Sequence, residues 1–276
     1  MNCKELASKI KQEIKEQVLL LDNDPVLAVI VVGDNPASKT YIQGKRKDCL
    51  ECGIHCEVYH FDEEITTSGL RQFIHKLNDD DDVNGILVQL PLPDTLDEKE
   101  ILGEISILKD VDGFREENLG RLLTGNPFFV PCTPAGIMKI FNEFNIEIDG
   151  KRCVVIGRSN IVGKPMSLIL TNAGGTVTLC HSHTKDLAEI TRQADIIVCA
   201  VGKEKFLTAG MVKDGVVVID TGINRDENGK LCGDVDFENV SKKCSAITPV
   251  PNGVGLMTRV ALLSNLVFSC HLSRYL

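Results

Sequence analysis

The chain has 276 residues, with 30 Lys plus Arg against 39 Asp plus Glu and a formal net charge of −9. At roughly 150 residues per domain, that length predicts about two domains, each large enough to bury a core. Hydrophobic content of 43% and charged content of 25% exclude a disordered chain, the acidic balance argues against a nucleic-acid partner, and 5% aromatic residues leave few platforms for stacked bases.

The N-terminal stretch MNCKELASKIKQEIKEQVLLL mixes Lys and Glu through its apolar positions, which predicts an amphipathic helix and not a signal peptide. Val26–Val32 (VLAVIVV) reads as a buried strand. Asn35 and Pro36 then cap and start a helix that ends near Gly53. Residues 54–61 predict a second strand, 70–77 have helical spacing, and 85–90 (GILVQL) predict a third strand stopped by Pro91 and Pro93. The acidic run 79–82 reads as a solvated turn.

A second series begins after Pro131 and Pro134. Residues 153–156 (CVVI), Thr176–Cys180 (TVTLC), 195–201 and 215–220 predict strands, and 163–171 a helix. Near-continuous Val/Ile runs separated by helices predict parallel sheets covered on both faces. The fold class is therefore α/β, with two three-layer domains divided near residue 133 and a C-terminal helix from about Gly255. No stretch reaches about 18 consecutive apolar residues. The segment VALLSNLVFSCHL, interrupted by Ser, Asn and His, predicts a packing helix, so no membrane partner is expected.

Eleven cysteines, an odd number spread through apolar segments, fit reduced thiols in a cytosol better than a disulfide framework. Cys49, Cys52 and Cys56 spell CxxCxxxC without a fourth ligand nearby, and His181 with His183 lacks a third. No metal is expected at either place.

Strand CVVI runs into GRSNIVGKP, Gly157 to Pro165, and on into a helix. Sparse side chains at such a turn let backbone N–H groups approach a pyrophosphate, although Ser159 stands where GxGxxG has its second Gly. A site for NAD places an acid at the end of the next strand; here TVTLC is followed by His181, Ser182 and His183. Arg158 in the turn, with a hydroxyl nearby, suits a 2′-phosphate, so NADP is expected; solvated loop residues are the plain alternative.

In the first domain Tyr41 and Lys45 stand at i and i+4 of the predicted helix and project from one face. A partly buried amine beside a phenol can have its pKa lowered and activate water, whereas an exposed helical Lys would be surface decoration. YxxxK also resembles the short-chain dehydrogenase pair, but Tyr41 precedes Gly157, the reverse of that order. Gln89 ends GILVQL, where open α/β sheets bind ligands. Asp112, in KDVDGF, is a further carboxylate or a turn cap.

The segments ASKTYIQGKRKDC (37–49), GILVQLPLP (85–93), KDVDGF (109–114), PCTPAG (131–136), GRSNIVGKP (157–165), DTGIN (220–224), GDVDF (233–237) and TPVPNGVGLMT (248–258) together resemble the bifunctional methylenetetrahydrofolate dehydrogenase/methenyltetrahydrofolate cyclohydrolase family of the FolD type. The resemblance implies a folate and catalytic domain over 1–133 joined by the C-terminal helix 255–276, a Rossmann-type NADP domain over 134–254, and a cleft between them. It implies Lys45 as the catalytic lysine, Tyr41 as the residue orienting the substrate ring, Gln89 supporting Lys45, and Asp112 anchoring the pterin. Val88, Gln89 and Leu90, with Pro251, Gly253, Val254, Gly255 and Thr258 of the later loop, would line the folate site. Gly157, Arg158, Ser159, Ser182 and Ile223 would contact NADP. A cytoplasmic homodimer acting on tetrahydrofolate derivatives, in one-carbon metabolism and purine biosynthesis, is implied as well.

Asn252 and Leu256 replace a usual Gly and Pro of the substrate loop, and Ile107 a common Pro, which alters backbone freedom there. Two other readings stay open at this point. One is a shikimate-type NADP dehydrogenase with the same two-domain plan. The other is a non-catalytic NADP-binding module, which would be expected to have lost Lys45 or Gln89; both are present.

Overall fold

The computed structural model of the chain describes residues 1–34 and 36–272, with side chains for all of these except 36–40. The amphipathic N-terminal segment forms helix α1 (Cys3–Val18), burying Cys3, Leu6, Ile10, Ile14 and Val18 at helical spacing. VLAVIVV forms β1 (Val26–Val32), buried at every position after the first. Helix α2 (Pro36–Glu51) follows; the cap expected from Asn35 lies outside the described residues. Next come β2 (His55–Phe61), α3 (Thr67–Asp79) and β3 (Gly85–Val88). Thr66 caps α3, its hydroxyl accepting from the Gly69 N–H at 3.1 Å, and Leu70, Ile74 and Leu77 form the buried stripe of that helix. Helices α4 (Glu98–Gly103) and α5 (Glu116–Leu123) complete this stretch.

The three strands make a parallel sheet in the order β2-β1-β3, with Leu27 level with both Cys56 and Gly85. One face packs Ile30, Ile86 and Val88 against Leu70, Ile74 and Ile101. Gly85 is required by close approach, because a Cβ there would lie 2.6 Å from Leu266 and 2.7 Å from Val111.

The second series opens with α6 (Cys132–Glu143), whose Pro134 sits in the first turn, where its missing N–H costs no helical bond. It continues through β4 (Arg152–Ile156), α7 (Gly163–Asn172), β5 (Thr176–Cys180), α8 (Leu187–Thr191), β6 (Ile196–Cys199) and β7 (Val217–Asp220). A short hairpin of β8 (Asn224–Arg225) and β9 (Leu231–Cys232), then α9 (Phe237–Val240) and β10 (Ala246–Ile247), lead to the C-terminal helix (Val254–Leu272). Five of these strands form a parallel sheet in the order β10-β7-β6-β4-β5. The chain leaves β4 to one side for β5 and to the other for β6. That reversal places a crevice beyond the carboxyl end of β4, at Gly157.

The chain divides into two units, Lys9–Cys132 with the chain from Arg259 onward, and Met1–Ser8 with Thr133–Thr258. The C-terminal helix is long and apolar enough to cross a membrane by length and composition, but half of its most apolar stretch is buried. Its polar interruptions are used in packing: Asn265 Nδ2 donates to the carbonyls of Val111 (2.8 Å) and Val130 (3.1 Å), and Ser269 Oγ to those of Asn84 (2.5 Å) and Leu108 (2.8 Å).

Candidate functional site

In the first unit, α2 brings Tyr41 and Lys45 onto one face and β3 delivers Gln89 just past its last residue. Lys45 is 6% exposed. Its Nζ donates to Gln89 Oε1 at 3.2 Å and lies 4.7 Å from the centre of the Tyr41 ring. Gln89 is held at both ends. Its backbone N–H still donates to Ile30 O (2.9 Å), and its Nε2 donates to Leu90 O (2.8 Å), which turns Oε1 toward the lysine.

Burial lowers the Lys45 pKa, opposed by the charge of Asp112. Burial raises Asp112 in turn, opposed by Lys45 and by a hydrogen bond from the Cys132 thiol. Tyr41 is raised by burial and by Asp112, so its phenol keeps its proton. The arrangement is a desolvated amine among a phenol, an amide oxygen and a carboxylate, suited to taking and returning a proton.

The turn-capping role belongs to Asp110, not to Asp112. Asp110 accepts from the Phe114 N–H (3.1 Å), the Arg115 N–H (2.9 Å) and Asn118 Nδ2 (2.7 Å). Val88 is 2% exposed and packs in the sheet core, and Leu90 packs against the same core. Two features here have no signal in the sequence. Cys132 sits beside Asp112, and Arg259 pairs through Nε with the buried Asp48 at 2.7 Å, crossing α2 at Gly44, where a Cβ would collide with its guanidinium.

The loop of Pro251, Gly253, Val254, Gly255 and Thr258 lies in the second unit. Gly253 lies so close to the Pro249 carbonyl that a Cβ would collide with it. Asn252 adopts the left-handed φ of +70° that glycine would supply, and Leu256 donates its N–H to Gly253 O at 3.1 Å. Thr258 Oγ1 meets Thr133 Oγ1 at 3.0 Å.

The same unit holds a cavity of about 370 Å³ at the carboxyl ends of β4, β5 and β6, lined by Gly157, Arg158, His181, Ser182, Lys203 and Phe206 among others. Gly157 has φ +116° and a Cβ there would strike the Ala200 carbonyl; a Cβ on Gly163 would strike the Gly157 carbonyl. These two glycines let the backbone close into a cradle at the start of α7. Ser159 plays a different part, its hydroxyl accepting from the N–H groups of Val162 (3.2 Å) and Gly163 (3.3 Å) and so capping that helix. Neither Ser159 nor the 64%-exposed Ile223 is among the described residues lining the cavity.

No acid follows β5. The His181 ring accepts the His183 N–H on Nδ1 (3.2 Å), and the His181 N–H donates to Thr184 Oγ1 (2.9 Å), shaping a loop that presents Ser182. Arg158, Lys203 and Ser182 thus give the cavity two cations and a hydroxyl, a donor set that fits a phosphorylated ribose. Lys203 belongs to no sequence motif; its one signal is the position just beyond β6, beside the chain reversal. Among the described residues no group of three or more His, Cys, Asp or Glu could hold a metal ion.

Two family models match the chain: the catalytic domain of tetrahydrofolate dehydrogenase/cyclohydrolase over residues 1–112 and its NAD(P)-binding domain over residues 131–274. The bifunctional protein FolD of Campylobacter hominis is 56% identical over 269 residues, 96% of this chain and 95% of that protein. The crystal structure of the Campylobacter jejuni FolD methylenetetrahydrofolate dehydrogenase/cyclohydrolase superposes with a TM-score of 0.97 at 53% identity, covering 99% of this chain and 98% of the other. The Trypanosoma brucei FolD, complexed with NADP cofactor and inhibitor, gives 0.95 at 35% identity over 100% and 98%. Shikimate dehydrogenase from Aquifex aeolicus reaches 0.52 at 15% identity over 84% and 90%, a likeness of fold alone.

Proposed function

This chain belongs to the tetrahydrofolate dehydrogenase/cyclohydrolase family, and on that premise we propose that Lys45, Tyr41, Gln89 and Asp112 carry its folate chemistry while the cavity at Gly157 holds NADP⁺. The protein is a bifunctional enzyme of one-carbon metabolism. It oxidises 5,10-methylenetetrahydrofolate to 5,10-methenyltetrahydrofolate with NADP⁺ and hydrolyses the product to 10-formyltetrahydrofolate.

The observation that carries the residue assignment is the burial of Lys45 against Gln89 Oε1. NADP⁺, when bound, supplies the hydride acceptor. In hydrolysis water adds to the methenyl carbon, the bond from that carbon to N5 breaks, and N5 ends protonated. Burial favours the neutral amine of Lys45, the form that takes the proton of the attacking water and passes one to N5. Gln89 fixes the position of Nζ; the Tyr41 ring and Asp112 favour the ammonium once it forms. Oxidation of the methylene carbon needs alignment more than proton transfer. Lys45→Ala should therefore cut cyclohydrolase by about 10²-fold or more, the usual worth of a positioned proton-transfer group, and hydride transfer far less. Following methenyltetrahydrofolate formation and loss separately on that variant is the test, and intact hydrolysis would remove Lys45 from the role.

Arg158 and Ser182 contact the 2′-phosphate in this reading, with Gly157, Ser159 and Ile223 at the cradle. Val88, Leu90 and the loop residues Pro251, Gly253, Val254, Gly255 and Thr258 border the folate. Residues 1–133 with 255–276 act as the folate domain and 134–254 as the NADP domain. We further propose a cytoplasmic homodimer, without nucleic-acid or membrane partners, whose formyl product serves purine biosynthesis. The net charge of −9 supports the lack of a nucleic-acid partner. Sedimentation equilibrium at a single mass of 30.3 kDa would overturn the dimer.

A further inference from the structure

Two motifs, DTGIN and GDVDF, meet in a buried pair of aspartates that the chemistry above does not use. Asp220, at the end of β7, is 2% exposed, and Asp234 is fully buried. Asp220 Oδ1 accepts from the N–H groups of Gly222 and Asp234, both at 2.9 Å, and Oδ2 from that of Val235 at 3.0 Å. Asp234 in turn gathers a third stretch of chain. Its Oδ2 accepts from the N–H groups of Val201 (2.7 Å) and Gly202 (3.0 Å), and its Oδ1 from the N–H of Lys203 (2.9 Å) and from Asn224 Nδ2 (2.8 Å). Two glycines are required for this knot: a Cβ on Gly222 would collide with the backbone nitrogen and carboxylate of Asp234, and one on Gly233 with the carboxylate of Asp220.

Three consecutive N–H groups pointing at one carboxylate form an anion-binding concavity, and here the anion is supplied by the protein itself. Val201 and Lys203 line the cavity at Gly157. The main chain of Asp234 also accepts the Leu207 N–H at 3.0 Å, fixing the residue after Phe206, another lining residue. With both oxygens occupied and no exposure, Asp234 does not reach a ligand itself. It acts on the wall.

We propose that Asp234 is a positioning residue for NADP⁺, holding the strap 201–203 so that Lys203 stands in the cavity as a second cation for the cofactor's phosphates, alongside Arg158. This rests on the reading of that cavity as the NADP⁺ site. Asp220 sets Asp234, Asp234 sets the strap, and the strap sets Lys203.

The experiment combines calorimetric titration of NADP⁺, steady-state kinetics of both activities, and amide hydrogen exchange on the cofactor-free protein. Asp234→Asn keeps the shape but loses the charge and one acceptor oxygen. It should speed exchange at Val201, Gly202 and Lys203 and raise the NADP⁺ Kd and KM about tenfold, while kcat and the cyclohydrolase rate, which needs no cofactor, stay within about twofold. Lys203→Ala, which leaves the strap's backbone bonds intact, should weaken NADP⁺ by a similar factor, and Lys203→Arg should restore it. Arg158→Ala tests the reading beneath. If it leaves NADP⁺ affinity unchanged, the cavity is not the cofactor's and both ideas fall. If it weakens NADP⁺ while Asp234→Asn leaves Kd and strap exchange at wild-type values, the positioning role alone is overturned. Should Asp234→Asn fail to fold, Lys203→Ala decides, and unchanged affinity in that variant overturns the proposal.

Discussion

At the scale of single residues the catalytic argument turns on what lowers the pKa of one amine. Burial lowers Lys45, and the group closest to it by hydrogen bond is the uncharged Gln89. Gln89→Glu would place a carboxylate there, favour the ammonium and raise the lysine pKa. The acid limb of the cyclohydrolase pH–rate profile should then move up by about one unit, with less activity at neutral pH. An unmoved limb would mean that Lys45 is not the titrating base. At the other site Arg158→Ala should weaken NADP⁺ about tenfold or more and NAD⁺ little, because a charge-assisted phosphate contact is worth about 1.5–3 kcal/mol. Equal losses for both cofactors would take Arg158 off the 2′-phosphate. Lys45, Tyr41, Gln89 and Arg158 are legible in the sequence because each stands at a strand end or at i,i+4 on one helix. Lys203 and Asp234 are not, because their roles depend on hydrogen bonds between segments about 30 residues apart.

Among the elements, the apolar strands are the most legible part. Val26–Val32 matches β1 to the residue, since a strand covered on both faces has no polar interruption to blur its ends. Thr176–Cys180 matches β5 as well, an edge strand of alternating exposure that starts directly after the glycine pair Gly174–Gly175. The predicted strand 85–90 instead ends at Val88, and the two residues it loses include Gln89, turned out of the sheet toward Lys45. Helices α4 and α5 leave little trace because they are short and each carries two acidic side chains, in six residues and in eight. Helix α6 is hidden because Pro134 reads as a boundary marker, whereas it occupies the first turn. The loop before the C-terminal helix shows how a departure from a family pattern can keep the backbone. Asn252 holds φ at +70°, a conformation Asn tolerates better than other residues with a Cβ. Asn252→Gly should change urea stability by less than about 0.5 kcal/mol, while Asn252→Val should cost about 1–2 kcal/mol. Leu256→Pro should cost about 1 kcal/mol through loss of the bond from Leu256 N–H to Gly253 O, and no more, since the position lies in a first helical turn. A larger loss would mean the loop relies on the leucine side chain.

For the whole molecule, charge has two separate consequences. The net −9 opposes two anionic ligands, so attraction must be local, at Arg158, Lys203 and the α2 lysines. Stability is governed by a different set of groups, the buried carboxylates. Each unit carries one that burial pushes up to about 6 despite its hydrogen-bond donors: Asp110 in the first and Asp220 in the second, the latter also raised by Asp234. An unfolded aspartate titrates near about 3.9, so between those values the folded protein binds more protons than the unfolded chain. The stabilisation is full below about pH 4 and is lost as pH rises through about 6, opposite in sign to acids such as Asp195 and Glu104, whose partners lower them. Asp220→Asn removes the titration. The stability advantage of the wild type over this variant, read by urea unfolding, should therefore shrink by about 2 kcal/mol between pH 4.5 and pH 7. The same comparison with Asp110→Asn reports on the first unit. A gap independent of pH would mean the carboxylates stay charged throughout, the three N–H donors on Asp220 outweighing its burial.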